Sequence, residues 1–312
     1  MNIINNSKNI FENIINSNTE NLIEYFITPL SPYFICNHFI AKELEPNDHK
    51  YVEYNIDTKA NDLLKNKNYN DIKNYDIIQV QVNYFDFFYD EVLPILVNNN
   101  IYIILITSQW HLPQINKNYK TDSLLNNAHI ILWISQNPIY TNHKKYMAFP
   151  YGLLHNSLYN YINFIKLYDT NKVKNIKILN QHTNVHSHLP EDHIRKVYDI
   201  FGINSGIPLY YKDYLENISN SEFLISTSGD RDDCYRHYES IGLNTIPISN
   251  IKDGYVEIFE ESMIYSNPEE MINMINNNIV NYTYNKPNRD ILTISYWLQK
   301  INERIIKNKN EL

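Results

Sequence analysis

The 312-residue chain has few cysteines, few glycines and no long hydrophobic run. Its two cysteines, Cys36 and Cys234, are far apart, which excludes a disulfide framework and the usual zinc spacings. The apolar runs, such as IYIILI at 101–106, are strand-length and much shorter than the about 20 residues that a membrane-spanning helix needs. We therefore expect a cytoplasmic protein without an integral membrane segment.

Basic residues are also fewer than acidic ones. The chain has 27 Lys and Arg against 35 Asp and Glu, for a net charge of −8. Neutralising phosphates requires a basic surface, so we expect no nucleic-acid partner. The first residues, MNIINNSKNIF, lack a charged region followed by an apolar core, and they predict no signal peptide.

Short apolar runs alternate with longer amphipathic ones, which predicts an α/β fold with parallel sheets. Strand-like runs lie at 33–39, 75–82, 101–108, 129–136, 176–180, 206–211, 222–227 and 244–249, with a further apolar segment at 146–154. Helical patterns lie at 157–169, 189–202, 232–242 and 289–307. We expect an N-terminal domain over 1–168, a C-terminal domain over 169–288, and a helix over 289–312 that crosses back to the first domain.

The segment SEFLISTSGDRDDCYRHYESIGLNTIPIS at 221–249 has the densest chemistry. It predicts a strand, a Ser-Gly turn, a helix that Asp230 or Asp232 could cap and Gly242 could end in a left-handed conformation, and another strand. Such a turn faces the carboxyl edge of a parallel sheet, where ligands bind. The helix N-terminus that follows it is suited to phosphate.

Arg236 and Glu239 are three residues apart and share one face of this predicted helix. An arginine there can bind a diphosphate with two hydrogen bonds, and a neighbouring carboxylate can accept two from a ribose diol. The alternative is a surface ion pair, which contributes little to stability.

The same segment resembles the C-terminal signature of exostosin-like glycosyltransferases. The matching elements are the strand and turn at Ser226–Gly229, the Asp233-Cys234 pair, Arg236, Glu239, Gly242 and Pro247. Looser matches are FFYDEVLPIL, YIILITSQW and WISQNPIYTNHKKYMAFPYGL, so the resemblance covers about residues 75–300. The family's frequent Pro-Arg-Gly turn is here Thr227-Ser228-Gly229, so the phosphate contacts at that turn differ.

The resemblance implies a GT-B fold, in which two Rossmann-like domains face a cleft and the second holds the nucleotide-sugar donor. It also implies metal-independent, inverting transfer of a sugar to a glycan or other hydroxyl acceptor, with a UDP-sugar as the expected donor. Arg236 would then contact the diphosphate, with Arg231, Ser228 and Gly229, and Glu239 would contact the ribose. The Asn- and Ile-rich composition makes the chain look like a giant-virus or protist version, acting in the host cytoplasm or virus factory if viral.

Other candidates follow from position. Asn180 and His182 follow the first strand of the second domain and could face the donor, and Arg195 in the next helix could contact phosphate. An inverting transferase needs a general base. Asp86, just after the 75–82 strand, is the first candidate, followed by His38 and His111, and Asp86 could alternatively cap a helix.

Three alternatives stay open. Asp230-x-Asp232 and the histidines at 182, 186, 188 and 193 could bind a metal, but the first is a short pattern and the second fits no standard site. A nucleotide- or carbohydrate-binding protein could keep the fold without catalysis. A phosphoryl-transfer enzyme is a third class, although no GxxxxGK[ST] motif occurs.

Overall fold

The computed structural model describes residues 9–17, 21–40, 69–108, 114–168, 172–181, 195–197, 209–229 and 231–310. The chain divides into two compact units. The first-sheet unit consists of residues 29–150 and 297–312, and the second-sheet unit consists of residues 1–28 and 151–296.

The described residues form nine strands and eleven α-helices with defined bounds, and residues 195–197 are also helical. The strands are β1 His38–Ile40, β2 Ile77–Gln81, β3 Ile103–Ser108, β4 Ile130–Ser135, β5 Tyr146–Ala148, β6 Ile176–Leu179, β7 Ser221–Ile225, β8 Ile246–Ser249 and β9 Ile264–Tyr265. The helices are α1 Ile10–Asn16, α2 Ser31–Ile35, α3 Phe85–Phe87, α4 Leu93–Asn98, α5 Tyr119–Asn126, α6 Leu158–Leu167, α7 Tyr211–Ser219, α8 Tyr235–Gly242, α9 Val256–Phe259, α10 Pro268–Asn277 and α11 Ile294–Asn310. Short 3₁₀ turns lie at Leu22–Glu24, Tyr69–Asp71, Val82–Tyr84, His155–Ser157, Asp253–Tyr255, Glu260–Ser262 and Arg289–Leu292.

The first-sheet unit contains a five-stranded parallel sheet in the order β1-β2-β3-β4-β5. All six residues of β3 and of β4 are buried, which explains their continuous apolar sequences. On one face Trp133 stacks with Phe85 at 6.1 Å between ring centroids, and its indole N–H donates to Thr107 Oγ1. A π-helical turn at Phe88–Val92 separates α3 from α4, beside Pro94, which cannot donate a helical hydrogen bond.

The second-sheet unit contains a four-stranded parallel sheet in the order β6-β7-β8-β9. Phe223, Ile225, Ile248 and Met271 form part of its core. Helix α10 begins with a reciprocal capping box between Asn267 and Glu270. The two sheets confirm the predicted α/β class with parallel strands.

Parts of two predicted strands are helical instead, and residues 206–208 of the second lie outside the described residues. Residues 33–35 of the predicted 33–39 strand belong to α2, whose first turn contains Pro32, and β1 begins only at His38. Tyr211, at the end of the predicted 206–211 strand, begins α7. Both segments are short and aromatic, and their periodicity cannot separate a strand from a buried helical turn.

The boundaries of the units differ from the expected division at residue 168. Residues 151–168, with α6, and residues 9–28 group with the second sheet. Within that unit, the Phe11 N–H donates to Asp290 Oδ1 and Phe26 forms an antiparallel bridge with Thr293. Helix α11 begins in the second-sheet unit and continues into the first-sheet unit. In the described part of the chain, no helix is both long and apolar enough to cross a membrane.

Gly242 is required for a different reason from the one that the sequence indicated. It is the last residue of α8, and Asn244 takes the left-handed conformation, with φ of 56°. A Cβ at Gly242 would lie 2.1 Å from the hydroxyl of Tyr161, which is buried and donates to the Glu239 carbonyl at 2.7 Å. The glycine therefore allows α6 to pack closely against α8.

Candidate functional site

The turn after β7 lies at the carboxyl edge of the second sheet. Its Ser228 N–H and hydroxyl both donate to Asn250 Oδ1, at 3.2 and 3.3 Å, which ties the turn to the end of β8. The Gly229 N–H donates to the Arg231 carbonyl at 2.9 Å. A Cβ at Gly229 would lie 2.9 Å from Arg195 Nη2, so the glycine leaves room for that guanidinium to rest against the turn.

Three arginines surround this turn and the start of α8. Arg195 and Arg231 are almost completely buried, with exposures of 8% and 5%. The Arg231 guanidinium lies over the ring of Tyr151, 4.4 Å from its centroid. Arg236, in the first turn of α8, is partly exposed, but its Nε and Nη1 atoms are buried and have no hydrogen-bond partner among the described residues. Buried guanidinium N–H groups of this kind can bind an anion.

Glu239 is buried on the same helix, one turn after Arg236. Its two carboxylate oxygens accept the hydroxyls of Tyr211 and Tyr214 from α7, each at 2.8 Å. Burial raises the pKa of Glu239, while the two tyrosine hydrogen bonds and the charge of Arg236 act to lower it. The sequence indicated the shared face of Arg236 and Glu239, and the i,i+3 spacing of the two tyrosines was a signal that could have found their partners.

Asp233 anchors the start of α8. It is 1% exposed, and its Oδ2 accepts the Tyr151 N–H at 2.9 Å and the Tyr238 hydroxyl at 2.5 Å. Burial raises its pKa, although these hydrogen bonds and the nearby cationic groups oppose the shift. The N-cap of α8 is Cys234, which makes no side-chain capping bond, so Asp232 does not cap this helix.

Of the residues considered as metal ligands, Asp232 has another partner and the others lie outside the described residues. Asp232 forms an ion pair with Lys252 at 2.9 Å. Asp230 and the histidines at 182, 186, 188 and 193 lie outside the described residues. Among the residues that are described, no three His, Cys, Asp or Glu side chains come together as a metal site.

The remaining donor-side candidates have mixed outcomes. Asn180 directly follows β6, so it lies at the same carboxyl edge as the Ser228 turn. His182 is not among the described residues. A cavity of about 520 Å³ opens at the carboxyl ends of β8 and β9, and Asn250, Tyr265 and Glu270 contribute to its lining. Asn250 also accepts the hydrogen bonds of Ser228, so the cavity lies beside the turn that the three arginines surround.

Asp86 lies beyond the carboxyl end of β2, as expected, but inside the first turn of α3 rather than at its N-cap, which is Tyr84. Lys120 contacts it at 2.8 Å and contacts Asp90 at 2.7 Å. These two carboxylates raise the pKa of Lys120 through their hydrogen bonds, so the lysine stays charged beside Asp86. Asp86 is therefore already paired with a cationic side chain.

His38 is placed differently from the expectation. It begins β1 instead of ending a strand, and its Nε2 lies 2.8 Å from Asp76 Oδ2, just before β2. Both residues are therefore at the amino-terminal edge of the first sheet, and the positional argument for His38 does not hold. The third candidate base, His111, lies outside the described residues.

The carboxyl edge of the first sheet carries buried neutral groups that sequence reasoning did not use. They are Gln79, Gln81, Thr107, Ser108, Ser135, Gln136 and Asn137, each at most 3% exposed. Gln79 donates to Ser108 Oγ at 2.7 Å, and Thr107 donates to Ser135 Oγ at 3.1 Å. The carbonyl oxygens of the Gln79 and Gln136 side chains are buried without a hydrogen-bond partner among the described residues. Amides and hydroxyls of this kind can recognise uncharged polar ligands.

Comparisons with known proteins give little further information. No protein-family model matches the chain, and no curated protein matches it. Among solved structures, it is similar to the N-terminal domain of Candida albicans trehalose-6-phosphate phosphatase, with a TM-score of 0.46 and 14% sequence identity. The match covers 80% of this chain and 75% of that one. At this similarity the comparison supports no conclusion about activity.

Proposed function

We propose that the chain is a metal-independent, inverting glycosyltransferase of the GT-B class that uses a nucleotide-sugar donor, most simply a UDP-sugar. The observation that carries this proposal is the cluster of Arg195, Arg231 and Arg236 around one glycine turn and helix start in the second-sheet unit. Arginine side chains and helix N–H groups can stabilise a leaving diphosphate where other enzymes use a metal. The acceptor would be a glycan or another hydroxyl compound.

In this proposal Arg236 is the main diphosphate contact. Its Nε and Nη1 atoms are buried without a partner among the described residues, so an anion would satisfy hydrogen-bonding groups that are already desolvated. Arg231 is held by the Tyr151 ring and contributes charge from a fixed position. The cavity beside Asn250 gives room for the rest of a nucleotide at the same sheet edge.

Glu239 is the proposed ribose contact, and the two tyrosines prepare it for that role. Each carboxylate oxygen accepts one tyrosine hydroxyl and keeps capacity for a second hydrogen bond. The tyrosines also fix the carboxylate beside Arg236.

The Glu239→Gln protein should bind UDP about fivefold more weakly, because a neutral acceptor replaces a charged one. Its affinity for free pyrophosphate should be unchanged, since pyrophosphate has no ribose. Isothermal titration calorimetry with both ligands measures the difference. Glu216→Gln, on the exposed part of α7, is the matched control. Equal losses for UDP and pyrophosphate would remove the ribose assignment.

The identity of the base stays a prediction. Asp86 has the expected position relative to β2, but acting as a base requires separation from Lys120 when the acceptor binds. An acceptor hydroxyl would have to displace the Lys120 ammonium from the Asp86 oxygen in order to donate its proton there. Asp86 is therefore proposed as the base on the condition that the acceptor displaces Lys120 from it.

Nucleotide release tests the whole proposal. Purified protein, incubated with each common nucleotide-sugar and a panel of hydroxyl acceptors, should release nucleoside diphosphate at the same rate with and without excess chelator. Loss of release on chelation, restored by Mn²⁺, would contradict the metal-independent mechanism. The absence of release and of thermal stabilisation by every donor would contradict the donor site itself.

A non-catalytic nucleotide- or carbohydrate-binding protein is the second candidate, and one observation favours it. The buried polar groups described at the carboxyl edge of the first sheet are neutral, and Asp86 is paired with a lysine. Such an edge can bind sugar hydroxyls without activating one. Thermal stabilisation by a nucleotide-sugar with no release of its nucleotide would favour this candidate over the transferase.

A further inference from the structure

Cys234, His237 and Ser226 form a connected set of side chains at the start of α8. The Cys234 sulfur lies 3.6 Å from His237 Nε2, and His237 Nδ1 lies 2.7 Å from the Ser226 hydroxyl. His237 and Ser226 are fully buried, while Cys234 is partly exposed. A nucleophile beside a base whose second nitrogen is held by another group is the arrangement that activates a thiol.

The charges around this set favour the thiolate–imidazolium pair. Burial raises the pKa of Cys234, but His237, Arg236 and Arg195 outweigh that effect and lower it from 9.0 to about 7. Burial lowers the pKa of His237, yet the Cys234 thiolate and Asp233 raise it above 6.5 overall. Cys234 is also the N-cap of α8, and a helix N-terminus stabilises a thiolate.

Thr227 and Arg236, which both act on the Cys234 sulfur, also carry side-chain donors that lack a partner among the described residues. The Thr227 carbonyl is 3.7 Å from the Cys234 sulfur, and the hydroxyl of Thr227, 1% exposed, has no hydrogen-bond partner among the described residues. The same holds for two guanidinium nitrogens of Arg236, two residues after the cysteine. Donors in this position could bind an oxygen atom that is added to the sulfur.

We propose that Cys234 is a modification site where hydrogen peroxide oxidises the thiol to a sulfenic acid, with His237 as the proton donor. The thiolate sulfur attacks one peroxide oxygen and the O–O bond breaks. The leaving hydroxide takes the imidazolium proton from His237 and departs as water. Sulfur loses two electrons to the peroxide, and the products are a sulfenic acid, water and neutral histidine.

The position of the cysteine gives this modification a consequence, which rests on the proposed function. The sulfur shares Arg236 with the proposed diphosphate contact. An oxidised sulfur and a bound diphosphate would then compete for the same guanidinium, so oxidation should reduce UDP binding and UDP should slow oxidation.

Alkylation across pH tests the reactivity without any variant, because Cys36 is an internal control. Burial raises the pKa of Cys36 to about 12, which is 12 − 7 = 5 units above Cys234. That gap is partly offset by the lower nucleophilicity of the more acidic thiol, so iodoacetamide should label Cys234 about 100-fold faster at pH 7. Mass spectrometry of peptides should give a midpoint near pH 7 for Cys234. A midpoint near 9 or above would overturn the proposal.

Hydrogen peroxide tests the reaction itself. A dimedone adduct should form on Cys234 and not on Cys36, and the Cys36→Ser protein should react like the parent chain. Ser226→Ala should raise the labelling midpoint of Cys234 because it frees the His237 ring. No adduct on a folded protein at a peroxide excess would overturn the modification. Adduct formation that UDP does not slow would leave the modification standing and contradict the shared diphosphate site.

Discussion

UDP should bind the Arg236→Ala protein about tenfold or more weakly than the parent chain, because one charge-assisted contact is lost, at roughly 1.5–3 kcal/mol. The guanidinium is the expected diphosphate contact, and its Nε and Nη1 atoms have no protein partner among the described residues. Because Arg236 also carries the charge opposite to the buried Glu239 and hydrogen-bonds Tyr214, the variant should lose stability as well as affinity. Isothermal titration calorimetry gives the affinity, and thermal denaturation gives the stability.

Lys212→Ala is the control for this experiment. Lys212 is an exposed residue on the neighbouring helix α7, so its removal lowers the positive charge of the surface by the same amount without touching the turn. Affinity for UDP should stay within about twofold of the parent value, because exposed charges are screened. Unchanged UDP binding in a folded Arg236→Ala protein would contradict the assignment of the donor site.

Gly152→Ala should destabilise the second-sheet unit by about 3 kcal/mol or more, the largest stability effect that we expect from a single methyl group. Gly152 has φ of +86°, and a Cβ there would lie 2.2 Å from the carbonyl oxygen of Ile27. That oxygen is fixed because it accepts the Leu153 N–H at 2.8 Å. The backbone carbonyl group and the side chain of Ile27 therefore leave the added methyl group without room.

Urea denaturation measures this effect, and Gly229→Ala is the matched comparison. The Cβ at Gly229 would meet the end of the Arg195 side chain, which can move, so the free energy of unfolding should change by less than about 1 kcal/mol. UDP binding should weaken in the Gly229 variant and stay near normal in the folded fraction of the Gly152 variant. Similar stabilities for the two variants would show that the approach of Ile27 to Gly152 is not rigid.

Long, uniformly apolar strands could be located from the sequence, because burial on both faces gives β3 and β4 an unambiguous pattern. The secondary structure of short aromatic segments could not be predicted from the sequence. The run at 33–35 is a helical turn, and Tyr211 begins α7, because tertiary contacts decide between conformations that the local pattern leaves equal.

The candidate site could be predicted only in part, because helical spacing is visible in the sequence and tertiary hydrogen bonds are not. Helical spacing placed Arg236 and Glu239 on one face. The i,i+3 spacing of Cys234 and His237 was also visible, but the role of Ser226 depends on a hydrogen bond across 11 residues that no spacing rule gives. His38 was misplaced because its strand was taken to end, and not to begin, at that position.

The grouping of residues 9–28 with residues 151–296 has a consequence for biosynthesis. The Phe11 amide pairs with Asp290, 279 residues later, and Phe26 pairs with Thr293. A ribosome makes the N-terminal segment first, yet its partners emerge almost last. Helix α1 packs against α6 and against the turn at Arg289–Leu292, so part of its native surface is missing until the end of translation, which favours aggregation. Synonymous changes that slow translation between residues 168 and 290 should therefore lower the soluble yield of the full chain.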